Sequence, residues 1–259
     1  MNGILKRTLE YVRRRFRRPL PPDFMNFEHN RALWNRYAQT WRKDEIPLQN
    51  PDIKDSERDS YVQCLGDEWG RVADIEQIVS EYIDPYISGD SVVAEIGVGG
   101  ARIATRVVSR TKELWCFDIS REMLDRARGV LEGHANTRFI LIDRPRFSDE
   151  LGDTFDFLYA FDVFVHFDLH MMWKYFQEIR RVLKPGARAF LHTSNLRAPG
   201  GWKSFSNQDS YSVVRHYFIS PEIVDILAER AELTIIKKSS VDEDNFYLNR
   251  DYLFVVEKR

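Results

Sequence analysis

Only two cysteines, Cys64 and Cys116, occur in the 259 residues, and neither stands near another Cys or a His in sequence. That excludes a disulfide framework and a thiolate zinc site, and it fits a reduced compartment. No stretch approaches the roughly 20 uncharged apolar residues of a membrane-spanning helix, and the basic N-terminus lacks the apolar core of a signal peptide. The expectation is therefore a soluble, cytoplasmic chain. Internal repeats and low-complexity linkers are missing too. What is present is 43% hydrophobic, 13% aromatic and 30% charged residues, enough for one large domain with additions.

The net charge of -2 is unevenly spread. Residues 1–20 carry seven basic groups (Lys6, Arg7, Arg13, Arg14, Arg15, Arg17 and Arg18) against Glu10, so that end is +6 and the remainder -8. Leu5, Leu9, Val12 and Phe16 recur at helical spacing within it, and Pro19, Pro21 and Pro22 end the pattern. Two readings stay open for residues 1–22: a solvated or self-docking tail, and a helix lying peripherally on an anionic membrane, at its inner face, or on a partner protein. Nucleic acid is disfavoured, since the acidic remainder repels phosphates.

Residues 23–90 are rich in aromatic and charged residues, with helical patterns over 31–42 and 72–82. From Ser91 the texture changes. Strand patterns over 91–96, 113–117, 138–142, 155–160, 187–193, 233–238 and 252–257 alternate with helical ones over 101–109, 121–131, 169–183 and 221–231. Such alternation predicts a mostly parallel sheet covered on both faces. In the clearest helix Leu169, Met172, Trp173, Phe176, Ile179 and Leu183 share a face, and Lys184-Pro185-Gly186 follows as a stop.

The most informative stretch runs from Val92 to Arg102, a buried strand entering a glycine-rich turn that opens a helix. A dinucleotide fingerprint would need glycine at positions 97, 99 and 102, but position 102 is the bulky Arg102. Glu95 at the strand end is poorly placed beside a pyrophosphate and well placed to accept bonds from an amino-acid ammonium group. With Glu95, Gly97, Gly99 and Ala101 the stretch resembles the first motif of class I S-adenosylmethionine-dependent methyltransferases, departing from it in the small Ala101 and the extra Gly100. The resemblance continues through Asp118, twenty-one positions after Gly97, then through Ile142-Asp143, Phe155–His166 and Arg181–Gly186. It implies a Rossmann-like α/β fold with a seven-stranded sheet over 91–259, preceded by a helical extension at 23–90 that caps the site. S-adenosylmethionine is the implied cofactor. The implied cofactor contacts are Glu95, Gly97, Gly99 and Ala101, Asp118 for the ribose hydroxyls, Met123 against the adenine, Asp143 for its amino group, and Phe161. Tyr37 in Leu33–Trp41 would reach the methionine end, although Trp34, Ala38 and Trp41 also fit ordinary packing.

Sulfonium methyl transfer needs a nucleophile held in line, and an alcohol must also lose its proton. His166 is the first candidate base because an imidazole titrates near neutrality. Asp162 is expected to orient it or the substrate, and His192 is the second choice. The His166, Asp168, His170 cluster is not taken as a metal site, since His170 lies off the buried helix face and Thr193, Ser194 and Asn195 stand where metal-assisted sugar methyltransferases tend to carry carboxylates. The insertion at 196–220 mixes aromatic and polar residues, and Gly200 and Gly201 suit a lid. Trp69, Trp202, Tyr211 and His216 are the candidate substrate contacts, pointing to a flat, hydroxyl-rich small molecule such as a saccharide. The alternatives are N-methylation of an amine and an inert cofactor-binding domain.

Overall fold

The computed structural model describes residues 25–45, 62–213 and 215–259. The expected cationic helix at 1–22 and residues 46–61 of the extension lie outside the described residues.

In chain order the elements are α1 (Met25–Thr40), α2 (Val72–Tyr82), β1 (Val92–Ile96), α3 (Ala104–Val107), β2 (Glu113–Asp118), α4 (Arg121–Val130), β3 (Thr137–Leu141), β4 (Phe155–Ala160), α5 (Leu169–Val182), β5 (Leu183–Ser194), α6 (Pro199–Ser206), α7 (Pro221–Arg230), β6 (Leu233–Lys238) and β7 (Asp251–Lys258). The sheet order is β3-β2-β1-β4-β5-β7-β6. β7 runs antiparallel to both of its neighbours and the other pairings are parallel. Alternate residues of each strand enter opposite layers. Ala94, Ile96, Leu158 and Ala160 pack with Met172, Phe176 and Val224 of α5 and α7. Val93, Phe157 and Tyr159 pack with Ile75, Ile78, Leu124 and Ala127 of α2 and α4. Burial on both faces is why these strands read as continuous apolar runs.

Chain direction across the sheet reverses between β1 and β4, which opens a crevice at the carboxyl ends of those strands. Local signals set the helices around it. Ser120 caps α4 by accepting the Met123 amide at 3.1 Å, and Asp168 caps α5 by accepting the Met171 amide at 2.8 Å. The helix expected over 101–109 is reduced to α3 and a following 3₁₀ turn at Val108–Arg110. Ala101 takes a left-handed φ of 72°, which holds the chain in the loop for longer. β5 begins directly at Leu183, so Lys184-Pro185-Gly186 form the opening of a strand rather than a loop.

α1 lies over the crevice and is fastened at both ends. At its C-terminus the Arg126 guanidinium donates to the carbonyls of Ala38 (2.7 Å) and Trp41 (3.1 Å), placing a cation where the helix leaves carbonyls unpaired. At its N-terminus Asn26, at 3.2 Å, and Asn30, at 3.3 Å, donate to the carbonyl of His166, and the Tyr211 hydroxyl donates to the same oxygen at 3.3 Å.

The 196–220 insertion contains α6, and its two glycines are not the hinge expected of them. Gly200 and Gly201 sit in the first turn of α6, where a Cβ on Gly201 would stand 1.9 Å from the Asn195 carbonyl oxygen and 2.7 Å from that of Arg250. These glycines allow backbone to press on backbone, and flexibility is not their use here.

Candidate functional site

Two adjoining clefts occupy the crevice. The first is an open cleft of about 740 Å³ over the ends of β1, β2 and β4, and the glycine turn lines it. The Gly97 and Val98 amides both donate to the Phe117 carbonyl, at 2.7 and 3.1 Å, tying the turn to β2. Gly97 has a φ of 73°, and a Cβ there would meet Val163 at 2.4 Å, so glycine is required on both counts. Asp118 accepts the Gly99 amide on Oδ2 at 2.9 Å and the Ser120 amide on Oδ1 at 2.8 Å. One lone pair per oxygen remains, which is what a vicinal diol needs. Burial pushes the Asp118 carboxyl up to about 6, against the pull of those amides. Glu95 is buried and accepts the Tyr159 hydroxyl at 2.8 Å. Its carboxyl is held well above the usual range by burial, with the Asp118 charge adding to it and the Tyr159 hydrogen bond opposing. An incoming ammonium group would relieve that cost.

The second cleft, about 690 Å³, lies under α1 and is lined by Leu33, Trp34, Tyr37, Trp69, Asp162, His166, His216, Tyr247 and Arg250. Trp34, Trp69, Asp162 and His166 line both clefts and so form the passage between them. His166 is 8% exposed, with the Trp34 ring edge-on at 5.1 Å. Its Nδ1 lies 3.3 Å from the Arg215 carbonyl. A carbonyl can only accept, so Nδ1 carries the proton and Nε2 keeps its lone pair. Burial lowers the His166 pKa below the ordinary 6.5, with the Asp162 charge opposing, so the ring is neutral at pH 7.

Asp162 adopts a left-handed φ of 57° and pairs with the buried guanidinium of Arg102. Burial alone would raise its pKa, but Arg102, His192 and Arg250 outweigh that and hold it low. Arg102 also donates to the Gly66 carbonyl at 2.8 Å and the Tyr247 hydroxyl at 3.1 Å, and stacks over Trp69 and Phe161. Beneath lies His192, whose Nδ1 accepts the Asp162 amide at 3.0 Å and whose Nε2 faces Asp251 at 3.1 Å.

Most of the expected residues meet at these clefts. Glu95, Gly97, Gly99, Asp118, Met123, Phe161, Asp162 and His166 line the first, and Trp69 lines both. His216 lines the second. Tyr37 does as well, instead of reaching the first, because its hydroxyl donates to Glu68 at 2.6 Å. Five expectations are corrected. Ala101 is buried and is not among the residues that line the first cleft. The Asp143 side chain is 78% exposed beside Arg144, because β3 is an edge strand and its end projects into solvent. His192 is fully buried and lines neither cleft, with both ring nitrogens facing protein, so no substrate proton reaches it. Trp202 is 58% exposed on the outer side of α6. Tyr211 lies outside both linings and braces His166 through its carbonyl.

Several residues of the site carry no motif. Arg102 counted only as an obstacle to a dinucleotide, Glu68 is a fully buried acceptor for Tyr37, Trp41 and the Gly66 amide, and Arg250 precedes β7 without a pattern around it. Tyr175 lines the first cleft with a buried hydroxyl that has no hydrogen-bond partner among the described residues. Its place one position before Phe176 on α5 was the available signal.

Residues 93–186 match the family model described as a methyltransferase domain. Comparison with curated proteins finds no match. Among solved structures, the fold is similar to that of geranyl diphosphate C-methyltransferase from Streptomyces coelicolor A3(2), solved with Mg2+, geranyl diphosphate and S-adenosyl-L-homocysteine, at 14% identity and a TM-score of 0.63 over 92% of this chain and 100% of that one. A protein from Pyrococcus horikoshii OT3 gives 21% identity and a TM-score of 0.60 over 80% of this chain and all of its own. An S-adenosylmethionine-dependent methyltransferase from Mesorhizobium loti gives 12% and 0.58 over 72% and 99%. At these identities the likeness is one of fold. The residues of the first cleft fit the cofactor on their own chemistry: an acidic acceptor for an ammonium group, a carboxylate with two free lone pairs for a diol, an unsatisfied tyrosine hydroxyl, and apolar Met123 and Ile142 for a flat base. The methyltransferase domain matched over residues 93–186, the strand order and the cleft chemistry agree with one another, and the fold is that of class I S-adenosylmethionine-dependent methyltransferases.

Proposed function

We propose that this methyltransferase acts on a hydroxyl of a small polyhydroxylated acceptor, of the saccharide class, with His166 as general base. The observation that carries the reading is the place and tautomer of His166. It stands at the passage between the clefts, uncharged at pH 7, with Nε2 unprotonated. Trp34, Tyr37 and Trp69 offer flat apolar faces in the second cleft, and Asp162, His216 and Arg250 offer polar groups at its edge, a mixture that suits a sugar ring.

S-adenosylmethionine supplies an electrophilic methyl group on a sulfonium centre. Glu95 would hold its ammonium group and Asp118 its ribose, with Met123 and Ile142 against the base. His166 takes the acceptor's hydroxyl proton on Nε2, and the Arg215 carbonyl and the Asp162 charge stabilise the imidazolium that forms. Arg102 fixes Asp162 through its ion pair, and the Trp34 and Trp69 rings limit water in the passage.

The test is a screen of sugar, phenol and amine acceptors with the native chain and His166→Asn, reading methyl transfer and S-adenosylhomocysteine affinity separately. Hydroxyl methylation is expected to fall by about 10²–10⁴ in the variant, with cofactor affinity unchanged. In the native enzyme the rate should decline only as pH drops below 6.5, following the lowered imidazole pKa. Full hydroxyl methylation by His166→Asn, or turnover confined to amines, would refute it.

A further inference from the structure

Resting on that reading of the second cleft, we infer that the acceptor carries an oxyanion, a carboxylate or a phosphate ester, which Arg250 receives. A guanidinium has five N–H donors. Arg250 spends its Nε and one Nη on the Asp251 carboxylate, at 2.8 and 3.0 Å from Nε and 2.6 Å from Nη2, while Nη1 donates to no described residue. The fork is braced from behind. Asp251 is fully buried, with His192 Nε2 at 3.1 Å on its other side, and the Phe246 ring packs against the guanidinium at 4.6 Å.

The ion pair is polarised towards the cleft. Arg250 lines it and Asp251 does not, so the cleft meets the positive end of the pair. The other acid in the lining, Asp162, is already paired with Arg102. His216 lines the cleft beside Arg250, and neither of its ring nitrogens bonds to a described residue. Burial, with Arg250 adding to it, holds its pKa down to about 3, so it presents a neutral ring. A half-used guanidinium in an aromatic-walled cleft costs desolvation that neutral hydroxyls recover poorly, whereas a carboxylate or phosphate matches the fork. His166 and Arg250 line the same cleft, so the reacting hydroxyl and the anion belong to one molecule.

The experiment uses the full chain saturated with S-adenosylhomocysteine and measures binding of glucose, glucuronate, glucose 6-phosphate and inorganic phosphate by calorimetry. At least one anionic sugar should bind about tenfold or more tightly than glucose, with the advantage shrinking in high salt. Preference for glucuronate assigns a carboxylate, and preference for glucose 6-phosphate a phosphate. In Arg250→Met the anion's advantage over glucose should fall below about threefold, whatever the affinity for glucose itself becomes, and Arg250→Lys should keep part of it. Equal binding of glucose and its anionic forms by the native chain overturns the inference without recourse to any variant. So does failure of all three anions to bind. Arg250-dependent binding with no hydroxyl methylation in the acceptor screen would leave the anion site standing and remove the base assignment. Methylation of neutral sugars that depends on His166, with no preference for anions, would do the reverse.

Discussion

Replacing Asp118 by Ala tests the cofactor cleft most directly, because the size of the effect follows from a count of lone pairs. Each carboxylate oxygen already accepts one backbone amide, from Gly99 at 2.9 Å and Ser120 at 2.8 Å. That leaves one acceptor site per oxygen, enough for both hydroxyls of a ribose. Hydrogen bonds to a charged group contribute about 1.5–3 kcal/mol, and two that share one charge are not additive, so a total loss of about 1.5–3 kcal/mol is expected. The dissociation constant for S-adenosylhomocysteine should therefore rise by about 10- to 150-fold. The fold should survive. The carboxyl is raised from 3.8 to about 6, so its ionised form opposes folding by about 3 kcal/mol above pH 6, and removing it offsets the two amides left unpaired. Affinity in the native chain should be flat near neutrality and weaken as pH falls through 6 and the carboxylate gains a proton. Calorimetry across a range of about pH 5–8 with a thermal melt of each variant reads both effects. A loss of less than about threefold in a folded Asp118→Ala protein would show that the diol is held elsewhere.

Two further substitutions probe stability. His216 has a folded pKa of about 3 against an ordinary 6.5. Its contribution is whole above pH 6.5 and is lost as pH falls towards 3, at up to about 1.4 kcal/mol per unit, and partial exposure of the ring reduces that figure. Between about pH 7 and 5 the native chain should lose about 1–2 kcal/mol more than His216→Asn in denaturant titrations, and parallel losses would contradict the burial argument. Gly201→Ala decides between packing and flexibility by sign: in an open helix it would stabilise by about 1 kcal/mol, whereas a Cβ 1.9 Å from the Asn195 carbonyl should destabilise by about 1–3 kcal/mol, read as a lower melting temperature.

What the sequence disclosed and what it withheld divide along a physical line. Phe155–Ala160, Leu233–Lys238 and Val72–Tyr82 were legible to the residue, since burial on known faces leaves a period in the chain itself. That the Glu95–Gly99 turn and Asp118 share one cleft was legible because one loop and one strand end build that lining locally. The other half is made by distant segments. Nothing near Arg102 announces that Asp162, sixty positions on, will pair with it, and nothing near His192 announces that Asp251 of an antiparallel neighbour will close over its second nitrogen. Trp202 is the instructive failure, because its aromatic and polar surroundings looked like a ligand site. A helix turns about 100° per residue, and a side presented by Gly201 can only be used where backbone approaches backbone. With Gly200 against Asn249 and Gly201 against Asn195 and Arg250, the next residue must rotate outward, which accounts for a tryptophan 58% exposed. Two adjacent glycines after a helix-opening proline are thus a packing signal, and that signal, carried by the residue order alone, turns Trp202 away from the site.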